Sequence, residues 1–185
     1  MRYTLLPFIA IVLFTTSCNT APDPFFISKS SVGQLSDTTK VRDLEQVFKS
    51  DSLSQFIGGD EFTGQINIIK VFEKETQKLL LELTPNEALD SLATIQTIRI
   101  MDERFETNLG LNKNSTFESI SSQYKISSIQ NTLRSLIVSV DEINAYFTID
   151  KSELPEELRY DTTKKIEAIS IPTTAKIKDF FIQWY

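Results

Sequence analysis

The side chains of this sequence that could do chemistry are carboxylates and one thiol. Its acidic residues group as Asp60-Glu61, Glu73/Glu75, Asp102/Glu103/Glu106 and Glu153/Glu156/Glu157. Paired carboxylates alone can hydrolyse a glycosidic bond, so a carboxylate-only glycan hydrolase is one function open to the chain. Catalysis through an imidazole is closed to it, because the sequence contains no histidine. The commonest general base, metal ligand and near-neutral switch is therefore missing, and neither a Ser-His-Asp nor a Cys-His arrangement can be assembled. All four acidic sets fall in segments read as turns, where charge is normally solvated, and units of roughly 80 residues leave little material for a deep cleft. The sets also lack the Asp-x-Asp-x-Asp-Gly spacing of a calcium loop. Gly58-Gly59-Asp60 is followed by no phosphate-binding glycine pattern and reads as a tight turn between Phe56-Ile57 and Phe62. No catalytic, cofactor-binding or metal-ligating residue is assigned, and no cofactor is expected.

The thiol is more informative. Cys18 is the only cysteine, and it follows Arg2, an apolar run from Leu5 to Phe14, and the small polar residues Thr15-Thr16-Ser17. A basic start, a short apolar core and small residues before a fixed point form the anatomy of a signal peptide; the run is too short to span a bilayer, which takes about 20 apolar residues. This arrangement resembles a bacterial lipoprotein signal, with one departure, Thr15 standing where that class usually carries an aliphatic residue. The resemblance implies that residues 1–17 are removed and that Cys18 is acylated as the new first residue. Lipid on Cys18 would make a membrane the first partner and leave no free thiol. Core burial alone must then stabilise the roughly 170 residues that remain, which is enough material to do so. Residues 18–24, with Pro22 and Pro24, have the character of a tether. Only Asp23 follows the cysteine where surface-exported lipoproteins of the Bacteroidota carry an acidic run. The resemblance thus favours the periplasmic leaflet of the outer membrane.

Charge narrows the partners further. The net charge is −6, with no basic run longer than Lys164-Lys165, so a polyanion meets repulsion at long range. Nucleic acid is not expected as a ligand.

An internal repeat organises the rest of the chain. At an offset of 76, Leu35 pairs with Leu111, Thr39 with Ser115, Val41 with Phe117, Leu44 with Ile120 and Phe48 with Tyr124. In both copies a hydroxyl residue precedes apolar residues spaced by three and four, the pattern of a capped amphipathic helix. Gly33 and Gly110 lie just upstream as turn residues. Strand-like runs follow each helix. They are 65–72, 78–83 and 95–100 in the first copy, and 136–140, 145–149 and 166–171 in the second, all rich in β-branched and aromatic residues. Short strands joined by short turns favour antiparallel pairing. The C-terminal run 176–185 reads as a closing strand with Phe180, Ile182 and Trp184 on one buried face.

The expected fold is α+β. Two related units, 25–104 and 105–185, each pack a capped helix on an antiparallel meander, sharing one sheet or core because the 101–108 link is short. On the Gly33/Thr39/Leu44 and Gly110/Ser115/Ile120 pattern, this architecture resembles the small tandem binding modules of the β-lactamase-inhibitor and BamE type. That resemblance implies a non-catalytic binder and supplies no catalytic residue.

One further pattern concerns modification. Asp37-Thr38-Thr39, Asp51-Ser52-Leu53, Asp90-Ser91-Leu92 and Asp161-Thr162-Thr163 resemble the O-glycosylation signal of the Bacteroidota, making Thr38, Ser52, Ser91 and Thr162 the implied acceptors. The same tripeptides also suit helix caps and turns. Taken together, the sequence reads as an envelope lipoprotein that binds a protein partner or plays a structural part. A small-molecule or lipid carrier and a glycan hydrolase are the alternatives.

Overall fold

The computed structural model describes residues 23–60 and 64–185, with side chains outside 56–66; residues 1–17, read above as a signal peptide, and Cys18 lie outside the described residues. The first half opens with three short strands, β1 (Phe26–Ile27), β2 (Ser31–Val32) and β3 (Leu35–Ser36), then α1 (Leu44–Val47). Four longer strands follow: β4 (Asp51–Asp60), β5 (Gly64–Glu73), β6 (Leu79–Pro85) and β7 (Ile95–Ile100). The second half contains β8 (Glu106–Thr107), α2 (Phe117–Gln123), β9 (Ser128–Asn131), β10 (Ser135–Val140), β11 (Ala145–Asp150), α3 (Glu156–Arg159) and β12 (Asp179–Gln183). Among these elements the long strands form one eight-stranded sheet in the order β4-β5-β6-β7-β12-β11-β10-β9, and the short ones a four-stranded sheet in the order β3-β2-β1-β8. Every pairing in the large sheet is antiparallel.

Alternation along the strands makes the large sheet one-sided. Leu81 and Leu83, Ile98 and Ile100, Phe180 and Ile182, Phe147 and Ile149, and Leu136, Val138 and Val140 are all buried and point one way. Side chains between them, such as Glu82, Arg99, Phe181, Tyr146 and Ser139, stay half-exposed. That period of two is what lets an antiparallel sheet bury one face and leave the other wet. The inner face forms one core with Ile27, Val32 and Leu35 of the small sheet and with Leu44, Phe117 and Ile120 of the helices. Each such side chain contributes on the order of 1.5–3 kcal/mol by leaving water.

The repeat is visible atom by atom. The Ser36 amide donates to Thr39 Oγ1 at 3.0 Å and the Asn112 amide to Ser115 Oγ at 3.1 Å. The amide of Val41 donates to Ala93 O, and that of Phe117 to Ala175 O; Arg42 donates to Ser91 O, and Glu118 to Thr173 O. Lys40 bridges to Thr94 in one half and Thr116 to Lys176 in the other. The last strands of the two halves, β7 and β12, meet at the middle of the sheet with Arg99 opposite Phe181, Ile98 opposite Ile182 and Ile100 opposite Phe180. Since Ile98 corresponds to Phe180 and Ile100 to Ile182, a pseudo-twofold axis passes between Arg99 and Phe181. It is the isologous geometry of a symmetric dimer, here within one chain.

Several sequence expectations are corrected. Residues 166–171 do not form a strand; they lie in the 151–178 excursion, with a 3₁₀ turn at Ala168–Ser170. Ile169 is 93% exposed while Ile166 and Ile171 are buried, so the run lacks the alternation that a sheet position requires. The strand position belongs to β12, which is central and not a closing edge, although Phe180, Ile182 and Trp184 are buried on one face as expected. The first helix is a single α-turn after a 3₁₀ turn at Val41–Asp43, and Leu35 sits in β3. Thr39 and Ser115 do not cap their helices; each hydroxyl is drawn upstream to an amide three residues earlier. Gly58 and Gly59 are no turn, because both are paired within the β4·β5 hairpin, opposite Ile66 and Gln65.

Candidate functional site

Two places combine geometry with chemistry, and the first is the open face of the large sheet. Strand register aligns a single row across all eight strands: Ser54, Lys70, Glu82, Arg99, Phe181, Tyr146, Ser139 and Ser128. The row is roughly 34 Å long at a strand spacing of about 4.8 Å. Its first half is ionic. Arg99 Nη1 donates to Glu82 Oε2 at 2.9 Å, and its Nε and Nη2 donate to Asp179 Oδ1 at 3.1 and 2.6 Å; Lys70 Nζ lies 3.3 Å from Glu82 Oε1. Partial burial lowers the Arg99 pKa, but the bonds to Asp179 and Glu82 outweigh it and raise the value. The second half is aromatic: the Tyr146 and Phe181 rings stack 4.6 Å apart at 10°, and Arg99 stands 5.9 Å from the Phe181 centroid. Thr148 Oγ1 donates to Asp179 Oδ2 at 2.7 Å, fixing that carboxylate from the other side. Together with Asp179 beside it, the row balances two cations, Lys70 and Arg99, against two carboxylates, and its arms join at the pseudo-axis.

The second place is the end of the sheet beside Pro24 and Phe25. Register sets Asp51 directly opposite Glu73, beside a cavity of about 260 Å³ lined by Phe25, Val32, Phe48, Leu80 and Phe105. Burial, then the Glu73 charge, pushes the Asp51 carboxyl up. Glu73 is pulled down by hydrogen bonds from Thr76 and from Arg104, whose Nη1 lies 2.7 Å from Oε1. Behind them lies Asp102, fully buried. Its carboxylate accepts from the Arg104 amide and guanidinium at 2.9–3.0 Å and pairs with Lys78 Nζ at 3.0 Å. Burial pushes Asp102 up, but these donors overcome it and hold its pKa at about 2. Directly opposed residues have Cβ atoms about 4.5–5.5 Å apart, so Asp51 and Glu73 are neighbours on one face, and a carboxylate pair is the arrangement a glycosidase would need. Both oxygens of Glu73 are nevertheless occupied, and the cavity is lined mainly by apolar side chains, with Gln34, Ser50, Asp51 and Glu73 as its polar ones.

The acidic sets singled out in the sequence are thus only partly brought together. Glu73, Asp102 and Glu103 share this end through Arg104 and Lys78, whereas Glu153, Glu156 and Glu157 lie in the distant excursion. Asp102 is a correction, being buried where a solvated turn charge was expected. Asp60 and Glu61 fall among residues whose side chains are not described. Among the described residues no cluster of three acidic side chains could hold a metal. Asp51 was missed as a partner of Glu73, since only the hairpin register opposes them. Of the implied acceptor residues, Thr38, Ser91 and Thr162 are exposed in turns, and Ser52 is half-buried in β4. Asp90 accepts from the Leu92 amide and Asp161 from the Thr163 amide, so both tripeptides also serve as Asx turns.

The class this architecture defines is an α+β fold in which two pseudo-symmetric halves complete one antiparallel sheet. No family model matches the sequence, and no curated protein matches it. Among solved structures, the crystal structure of the uncharacterized protein yfeY from Escherichia coli is similar to it. The TM-score is 0.58 and the identity 12%, and the match covers 85% of this chain and 99% of that one. This likeness shows the fold alone.

Proposed function

We propose that this chain is a membrane-anchored cell-envelope lipoprotein that works without catalysis, holding a protein partner against the open face of its eight-stranded sheet. The observation that carries the reading is the row centred on Arg99, Phe181 and Tyr146. Arginine and aromatic residues are the types enriched at protein interfaces, and here they are prearranged by ion pairs and stacking, which reduces the ordering cost of binding. The ionic arm supplies orientation and the aromatic arm supplies apolar area. A face some 34 Å wide is commensurate with the roughly 800 Å² per partner of a standard interface. The anchor is Cys18, and the reading places the domain on the periplasmic leaflet of the outer membrane. No described helix is long and apolar enough to cross a membrane, so lipid at Cys18 is the attachment this reading requires.

The test is in-cell crosslinking of the native chain and of Cys18→Ala, with fractionation and mass spectrometry of the captured proteins. The expected outcome is membrane association and one specific envelope partner for the native chain, and loss of both in the variant. Membrane association that survives Cys18→Ala would overturn the anchoring half of the proposal.

A further inference from the structure

The cavity beside Pro24 and Phe25 plays no part in the sheet-face reading, and its composition is selective in its own right. We infer that it is a binding site for a small organic ammonium ion. Phe25, Phe48 and Phe105, with Val32 and Leu80, form its apolar walls, and Asp51 and Glu73 are the charges at its side, next to Gln34 and Ser50. The phenylalanines are held in place, Phe25 and Phe105 meeting edge to face at 5.1 Å and Phe48 and Phe105 being buried. Aromatic walls with a nearby carboxylate are the chemistry that recognises alkylammonium ions, because the ring faces attract cations and the alkyl groups fill apolar space.

Asp51 is the half-buried charge that such a ligand would meet. Its carboxylate has no hydrogen-bond or ion-pair partner among the described residues, whereas Glu73, the like charge opposite it, is bound by Arg104 and Thr76. A cation in the cavity would pair with Asp51 and offset the repulsion from Glu73. The wall also decides against other ligand classes. A hard metal ion seeks six or more oxygen ligands, which a mostly carbon lining does not provide, and a sugar would turn much of its hydroxyl surface to carbon, with Gln34, Ser50, Asp51 and Glu73 on one side alone. A volume near 260 Å³ admits a compact ligand. Arg104 already stands 4.4 Å over the Phe25 ring, so cation–aromatic contact is in use on this wall.

The test is calorimetric titration of the full, detergent-solubilised chain with choline and with 3,3-dimethylbutan-1-ol, which has the same shape without the charge. Choline is expected to bind at least tenfold more tightly, a difference of about 1.4 kcal/mol. Asp51→Asn should abolish the preference while leaving the weak binding of the alcohol unchanged. Because the substitution removes a like charge facing Glu73, the ligand-free variant should melt no lower than the native chain. In the native chain the preference should also fade as acid protonates Asp51, the facing charges being Glu73 and Arg104. Should the variant fail to fold, the native ratio and its pH dependence decide the matter. Equal binding of the two probes, binding of neither, or a preference that survives Asp51→Asn would overturn the assignment. None of these outcomes bears on the sheet face, which lies on the opposite side of the sheet from the core.

Discussion

Asp102 shows how one side chain can tie an end of the molecule together. It comes just after β7 and reaches back to Lys78, before β6, and forward to Arg104, which in turn binds Glu73 at the end of β5. A buried carboxylate is tolerated only when its hydrogen bonds are made, and here three donors make them. Its folded pKa of about 2 lies below the ordinary 3.8. The sign is that of a depressed acid: the stabilisation is fully present above pH 4 and is lost as pH falls toward 2. Asp102→Asn, which keeps the shape and removes the charge, should cost about 2 kcal/mol at neutral pH and flatten the acid limb of the stability curve. Urea denaturation at pH 7 and pH 3 reads both effects. An equal loss at the two pH values would mean that packing, not charge, is what Asp102 contributes. The exposed ion pairs around it are worth much less, since solvent screens them.

At the scale of elements, the paired glycines show where two similar halves have diverged. Gly33 and Gly110 both take the left-handed region, at φ +57° and +75°. A Cβ on Gly33 would lie 2.2 Å from the Pro24 carbonyl oxygen, while one on Gly110 meets nothing within 4 Å. Gly110→Ala should therefore cost only the conformational penalty, about 1 kcal/mol. Gly33→Ala should cost clearly more and displace the chain at Pro24. Thermal melts of the two variants give the comparison, and equal losses would contradict it. The glycine pair was legible in the sequence, as were β5, β6, β7, β10 and β11, because local spacing alone encodes them. The helices were overestimated because their apolar residues are shared between a turn, a short strand and a core contact. The 166–171 run has strand composition, yet its place in the sheet is taken by residues nearer the C-terminus, a choice that only tertiary pairing makes. The same limit hid the Asp51–Glu73 opposition.

At the scale of the whole molecule, two pseudo-symmetric halves join edge to edge about Arg99 and Phe181, giving one broad sheet in place of two small ones. This junction buries the edges at which each half would otherwise invite pairing, and leaves β4 and β9 as the outer strands of the large sheet. It also creates a continuous polar and aromatic face that neither half could supply. The two halves of that face have specialised, one toward charge and the other toward aromatic area: Glu82 corresponds to Tyr146, and Arg99 to Phe181.

The proposal that this face holds a partner is tested by placing a photo-crosslinking residue at one position at a time in the intact chain. Thr97 and Ser139 sample the open face; Glu87 and Lys165 sample exposed positions away from it. The account predicts capture of the same envelope protein from Thr97 and Ser139 and not from Glu87 or Lys165. Capture from Glu87 or Lys165 alone, or no capture from either face position, would contradict it.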